Sequence, residues 1–437
     1  MLLRQPLRRH PYNCTAIFNG HRAEIRHAER YYVEYRRSPS SRWVTENCPV
    51  LTLPLSAFQY LNPAERQFSL AFSILVYEDF YAVAQLLRVL FRPWNYYCIH
   101  VDSKSSENFY DALMTLVEVC YNKSGPAQDI FLAQTRHSVT WGEISVVDAA
   151  LSCFRELHSP ENLDRRNSSN STPLAKWRYL LNIAGTDFPL RTNFEIVQRL
   201  QTLDLNSSGG GSDIELISQD KAAWRYKYSF PNGSSYASFL TVLNSTHRED
   251  YRKAEPPFNL TIYKGSFSGS FRRDFVEFIL SSRVSSTLYD YLSDIFIPDE
   301  YYWATLYHGY FKPNSKDRQA KRLSINSSHL LPVQNATTTD QVVFDILRFK
   351  ADEEIGKPTF YTRYTNWATN ETSFVCGGYA EHGLCVFGLG DLKRLLHINE
   401  TFFAHKFSRR IMPITLDCLE EHVLYRTFSG LHTKSVL

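Results

Sequence analysis

The chain has 437 residues, 43% of them hydrophobic and 14% aromatic, with a formal net charge of +3. This length and composition belong to a globular protein that can bury a sizeable core, and they exclude a disordered or collagenous chain. So small a charge, without a long basic run, gives no reason to expect nucleic acid as a partner.

Twelve Asn-x-Ser/Thr sequons, the first at Asn13 and the last at Asn399, favour passage through the secretory pathway. An even count of eight cysteines then favours disulfides. No Cys-x-x-Cys or paired Cys/His spacing points to zinc. Met1-Leu2-Leu3-Arg4 opens a polar, basic segment, and no run reaches the roughly 18 apolar residues of a membrane span. An entry signal is therefore expected upstream of this sequence.

Residues 1–65 are polar and read as an irregular stem or N-terminal wrap, stapled to the rest through Cys14 and Cys48. Residues 66–437 read as the main domain. In it, Phe72–Tyr77 is a short apolar run of the kind that forms a buried strand. Val83, Leu86, Leu87 and Leu90 follow at helical spacing. A second strand, Tyr96–Asp102, ends on an acid. Strand, helix and strand make the βαβ unit of an open parallel sheet, whose ligands bind at the carboxyl ends of the strands. Asp102 is thus placed to hold a ribose or base, or else to cap the next turn.

Trp141-Gly142-Glu143 precedes a helix carrying Ile144, Val147, Ala150, Leu151 and Phe154. Trp177–Gly185 is a further strand, and Thr192 or Asn193 caps the helix after it. Glu215 to Tyr228, with Lys221, Trp224, Arg225 and Lys227, mixes polar and aromatic side chains as an oligosaccharide site requires; exposed loops often do the same. Lys264-Gly265-Ser266 precedes a helix from Arg273 to Leu280.

The sequence Ile297-Pro298-Asp299-Glu300-Tyr301-Tyr302-Trp303-Ala304-Thr305 then sets two carboxylates against three aromatic side chains. As chemistry, an acid here is a general base for a sugar hydroxyl, and the aromatics offer flat faces to sugars while desolvating the carboxylate and raising its pKa. As structure, it is a helix start with Pro298 at the first position and acids complementing the dipole. The two readings are compatible. Phe311 to Thr372 lacks periodicity and reads as surface loops. Cys376 and Cys385 bracket Gly377-Gly378 and close a local loop, and the Gly-x-Gly of Gly388-Leu389-Gly390 is too short for a dinucleotide fingerprint. Lys406 is a lone cation in an apolar setting, which either snorkels to solvent or pairs with phosphate.

Seven of these stretches stand in the order found in one family: Phe72–Tyr77, Tyr97–Asp102, Trp141-Gly142, Asp187–Pro189, Pro298–Tyr301, Cys385–Gly388 and Ala404–Phe407. The chain resembles the β-1,6-N-acetylglucosaminyltransferases that branch mucin-type O-glycans and I-antigen chains, from about Cys14 to His422. The resemblance implies an α/β fold of GT-A-like kind, with a Rossmann-type, mostly parallel central sheet flanked by helices and stapled by disulfides. Residues 66–437 become the glycosyltransferase catalytic domain. It also implies a type II Golgi membrane protein facing the lumen, a UDP-sugar donor, O-glycan acceptor glycoproteins and inversion at the anomeric carbon.

Residue by residue, Glu300 matches the family's catalytic base. Leu75, Tyr77, Asp102, His382 and Lys406 match nucleotide and diphosphate positions, with Lys406 neutralising charge in place of a metal. The sequence agrees, since it has no Asp-x-Asp, so no metal or other cofactor is expected. The resemblance pairs Cys14 with Cys418, Cys48 with Cys120, Cys98 with Cys153, and Cys376 with Cys385. The family's unpaired cysteine falls at Ala184, so no free thiol is expected. His382 stands where the family has an arginine, which places more of the diphosphate charge on Lys406. Glu215, Lys221 and Arg225 match acceptor positions, while an aromatic pair near Phe349 has no clear match. The expected reaction is metal-independent transfer of N-acetylglucosamine to the 6-hydroxyl of a Galβ1,3GalNAc-type acceptor, forming a β-1,6 branch. The rivals are UDP-glucose or UDP-xylose as donor, and a secreted glycan-binding protein that has lost turnover. A glycosidase fits less well, because the second carboxylate it needs roughly 5–10 Å from the first is not evident.

Overall fold

The computed structural model describes residues 11–30, 38–122, 129–159, 177–206, 211–217, 223–230, 248–311, 360–367, 375–398 and 400–429. The runs rich in Ile, Leu, Val and aromatic residues become strands buried on both faces, as parallel strands between helices must be. β1 (Leu70–Val76), β2 (Tyr96–Val101), β3 (Ile130–Leu132) and β4 (Tyr179–Ala184) pair in parallel. Two more strands of that sheet are β6 (Asp213–Ile214) and β7 (Gly269–Arg272), and the order is β3-β2-β1-β4-β7-β6. β7 runs antiparallel to both of its neighbours. It is four residues long and begins with glycine, so alternation alone does not reveal it.

Alternation along the strands divides the core in two. Phe72, Ile74, Val76, Tyr97, Ile99, Val101, Leu181 and Ile183 face one layer of helices, including Phe80–Leu90 and Pro413–Ser429. Ala71, Tyr96, Cys98 and Leu180 face the other, built from Ser145–His158, Arg273–Ser281, Arg283–Leu292 and Asp299–Leu306. Phe72 and Tyr97, opposite each other in register, stack at 5.2 Å. The helix Asn193–Asn206 begins with a reciprocal cap in which the Thr192 N–H donates to Glu195 and the Glu195 N–H donates to the Thr192 hydroxyl.

The segment expected to be irregular carries short helices among its described residues, including Cys14–Phe18, Arg22–Glu29 and Ser41–Glu46. Asn13 and Ser40 cap two of them, accepting from Ala16 and Trp43. Helices this short do not build a readable apolar stripe, so they merge into the polar background. All four expected disulfides are present, and no described cysteine is free. Cys14–Cys418 joins residues 404 apart, tying the first described helix to the last.

A small second sheet completes the frame. In it β11 (Phe403–His405) lies between β5 (Asp187–Pro189), antiparallel, and β8 (Arg363–Thr365), parallel. Beside it a hairpin joins β9 (Tyr379–Glu381) to β10 (Leu384–Val386). Gly377, Gly378 and Gly388 let backbones cross: a Cβ on Gly378 would lie 2.0 Å from the Val386 carbonyl oxygen. Among the described residues no helix is long and apolar enough to cross a membrane.

Candidate active site

β1 has β2 on one side and β4 on the other, and at such a reversal of strand order open sheets carry a ligand crevice beyond the strand ends. The Asp102 N–H donates to the Val76 carbonyl and the Gly185 N–H to that of Leu75, holding the three ends together. Leu75, Tyr77 and Asp102 therefore share one edge. The Tyr77 ring is half exposed, and burial with the nearby Glu78, Glu381 and Asp79 charges pushes its hydroxyl pKa up. The Asp102 carboxylate accepts from the Lys104 N–H at 2.8 Å and the Val139 N–H at 3.3 Å, which is the turn-capping geometry. His100, beneath it, accepts the His137 N–H on Nε2; burial lowers its pKa to about 4, so it is neutral.

Lys406 reaches the same crevice from the small sheet. The Phe407 N–H donates to Thr186, just past β4, and the Phe387 N–H donates to the Lys406 carbonyl. His405 Nδ1 meets the buried Asp187 carboxylate at 2.7 Å. Burial, together with the Arg363 charge, lowers the His405 pKa. The Lys406 ammonium is partly exposed and is paired with Glu381. His382 is exposed and occupies, with Gly383, the two-residue hairpin turn; both have positive φ, 52° and 81°. Cys376–Cys385 fastens this hairpin to the chain before it.

Glu300 lies in the first turn of the helix Asp299–Leu306, directly after Pro298. Its Oε2 takes both Arg225 Nη1 at 2.7 Å and Lys264 Nζ at 3.0 Å, and the side chain is 25% exposed. The Gly265 N–H donates to the Glu300 carbonyl at 2.7 Å. A Cβ on Gly265 would lie 2.3 Å from the Glu215 carbonyl oxygen, so only glycine lets these segments close. Glu215 is thereby held beside the helix Asp299–Leu306. Its burial raises its pKa, against the Arg363 and Lys264 charges.

The aromatic run does not face a ligand. Tyr301, Tyr302 and Trp303 are buried, with Trp303 stacked on Phe154 at 5.3 Å and Tyr302 hydrogen-bonded to Ser285. The carboxyl that desolvation raises is that of Asp299, pushed up to about 7 by burial and then by the Glu300 charge. The rings around Arg225, the partner of Glu300, come from elsewhere. Trp224 stacks on Phe296 at 6.3 Å, Trp141 meets Phe296 edge-on at 5.7 Å, and Arg225 lies over Trp224 and Phe296. Trp141 is 70% exposed.

Glu300, Glu215 and Arg225 are thus brought together, while Lys221 lies outside the described residues, as does Phe349. Lys264, Arg363 and Glu381 carry no role in the sequence reading. Arg363 links the two ends of the site electrostatically, acting on Glu215, Asp299 and His405, and donates to Ser266 at 2.9 Å. Its stretch, without periodicity in the sequence, reads only as surface loop. Cys376, Cys385 and Asp391 cluster with metal-like spacing, but the sulfurs are bonded to each other. Asp391 is taken up by the Gly377 and Gly388 N–H groups and by Arg394. That donor set does not suit a cation.

A family model described as Core-2/I-Branching enzyme matches residues 70–395. The chain belongs to that family. It is 28% identical to the rat β-1,3-galactosyl-O-glycosyl-glycoprotein β-1,6-N-acetylglucosaminyltransferase 3, covering 96% of this chain and 84% of that one. It is equally 28% identical to the mouse N-acetyllactosaminide β-1,6-N-acetylglucosaminyl-transferase, covering 95% and 85%. Among solved structures, the mannosyltransferase Ktr4p from S. cerevisiae is similar over 69% of this chain and 75% of that one, with TM-score 0.24 and 10% identity, too slight a likeness to carry an argument. The Core-2/I-branching chain described here is a glycosyltransferase.

Proposed function

We propose that this enzyme transfers N-acetylglucosamine from UDP-N-acetylglucosamine to the 6-hydroxyl of a Galβ1,3GalNAc-type O-glycan, forming a β-1,6 branch with inversion and without a metal. The observation that carries this reading is the partly exposed Glu300 carboxylate, whose neighbours Glu215 and Asp299 feel the same Arg363 charge as His405, next to Lys406. Arg225 and Lys264 fix one of its oxygens, and Lys406 stands at the end of β4. In a single displacement, Glu300 Oε1 takes the proton of the acceptor 6-hydroxyl as its oxygen attacks the anomeric carbon. The bond to the diphosphate breaks on the opposite face, and UDP leaves with the electron pair.

The uridine end lies along Leu75, Tyr77 and Asp102. Lys406 neutralises the developing diphosphate charge, and this is the work a divalent ion does in transferases that carry Asp-x-Asp. His382, on an exposed turn, adds charge only when protonated. Glu215, Arg225 and Lys221 bind the acceptor. Names of relatives that act on O-glycosyl glycoproteins support this acceptor class. The same reading makes the central sheet one of GT-A type and places the protein in the Golgi lumen as a type II membrane protein, with residues 66–437 as the catalytic domain.

The test is a donor screen. Purified protein is incubated with a Galβ1,3GalNAc acceptor, EDTA and, separately, UDP-N-acetylglucosamine, UDP-glucose and UDP-xylose, with product read by mass. N-acetylglucosamine addition in EDTA is the expected result. Transfer of another sugar moves the donor specificity, and a strict need for Mn²⁺ removes the metal-free mechanism.

A further inference from the structure

The pairing of Lys406 with Glu381 does not follow from a diphosphate site alone. A cation awaiting a phosphate needs only water around it, yet here a carboxylate is brought to it from a separate element. Glu381 is the last residue of β9, and the turn His382-Gly383 immediately beyond it reverses the chain into β10. The hairpin is anchored at three points: by Cys376–Cys385, by the Cys385 N–H to the Asn366 carbonyl at 2.9 Å, and by the Phe387 N–H to the Lys406 carbonyl at 2.9 Å. Glu381 is therefore aimed at Lys406 by the framework, and is no chance neighbour on a loose loop. Its charge also acts on the Tyr77 hydroxyl at the end of β1, which places it within the same crevice.

We propose that Glu381 is a positioning residue that sets nucleotide affinity by competing with the diphosphate for Lys406. This rests on the nucleotide site proposed above. Without donor, Glu381 holds the ammonium in place and balances its charge. When UDP-sugar enters, the phosphate oxygens take over Lys406, and Glu381 turns to solvent, which its 41% side-chain exposure allows. A carboxylate so close to the diphosphate weakens UDP as well as donor, and so favours product release after transfer. The pair is partly exposed, which keeps this competition modest and reversible. No bond is made or broken; only the partner of Lys406 changes.

The experiment is calorimetric titration of UDP, in EDTA, into wild type, Glu381→Gln, Glu381→Asp, Lys406→Ala and the Glu381→Gln/Lys406→Ala double variant. Glu381→Gln is expected to tighten UDP about two- to fivefold, a range set by the usual strength of partly exposed pairs. Its KM for donor falls, and kcat falls too if UDP release limits turnover. Glu381→Asp stays near wild type, because the charge is retained. In the Lys406→Ala background the gain from Glu381→Gln largely disappears. Unchanged UDP affinity in Glu381→Gln, or an equal gain without Lys406, overturns the proposal while leaving the nucleotide site intact. Failure of the wild type to bind UDP at all removes the nucleotide site itself, and the proposal with it. Thermal melts of each variant separate a folding defect from a change in affinity.

Discussion

The two charged ends of the site are built as mirror images. At Glu300 a carboxylate is held by two cations, Arg225 and Lys264; at Lys406 a cation is held by one carboxylate, Glu381. Their supports differ as well. Glu300 projects from a helix of which every other residue is buried, so moving it means disturbing the core. Lys406 and Glu381 meet where the short β11 and the hairpin come together, and the hairpin is closed by a disulfide spanning nine residues. The rigid end suits a group whose task is to hold one atom in place through a reaction. The lighter end suits a group that must accept and release a highly charged product in every cycle.

The sharpest way to break this comparison is to neutralise each end in turn. Glu300→Gln keeps shape and removes the proposed base, so kcat should fall at least a hundredfold, within the usual range for general base catalysis. UDP affinity and melting temperature should stay near wild type. Lys406→Ala should instead weaken UDP binding about tenfold or more, with a smaller loss in kcat at saturating donor. Rate and calorimetric measurements on both variants decide the matter. If Glu300→Gln retains a tenth of wild-type turnover, the base lies elsewhere.

The disulfides test the difference in rigidity. Cys14→Ser/Cys418→Ser opens a bridge between residues 404 apart and should cost about 2–5 kcal/mol, read by chemical denaturation. Cys376→Ser/Cys385→Ser opens a loop of only nine residues and should cost less stability. It should also lower the KM for donor, as Glu381→Gln does, because the hairpin it loosens carries the competing Glu381 towards Lys406. Equal stability losses with no change in KM would mean that the hairpin is mere scaffolding.

Much of the frame was legible in the sequence. The apolar runs at Phe72–Tyr77, Tyr96–Asp102 and Trp177–Gly185 yielded β1, β2 and β4, because strands buried between helix layers are apolar almost throughout. The four cysteine pairs came through the family resemblance, since sequence spacing cannot choose among so many pairings. The run from Pro298 forms the helix start that its proline and acids imply, but its aromatic rings do not offer faces to a sugar, because nine residues do not say which side of a helix is covered. Here Tyr301 to Leu306 is buried all round, the mark of a core helix. Lys406 and Glu381 are separated by 25 positions, and only the hairpin's register makes them partners. Arg363 pairs through β8 with β11, a contact that no local pattern around it announces.

The smallest effect concerns Asp299, the buried neighbour of the base, and its direction with pH can be worked out. Its carboxyl titrates at about 7 in the fold against 3.8 for an ordinary aspartate, with burial the larger cause and the Glu300 charge the next. Between those two values the folded protein holds a proton that the unfolded chain has released. Stability contributed here is therefore full below the lower value and declines as pH rises towards 7. An amide has no such proton to lose, so Asp299→Asn should show a flatter stability–pH profile than wild type between pH 4 and 7, by about 1–2 kcal/mol, less than the full shift because Glu300 shares it. Asp213 and Glu215, also raised by burial, are present in both proteins and cancel in the difference. Urea unfolding at the two ends of this range measures it. Parallel profiles would mean that the Asp299 carboxyl reaches water, and that the Glu300 end is more open than the helix packing implies.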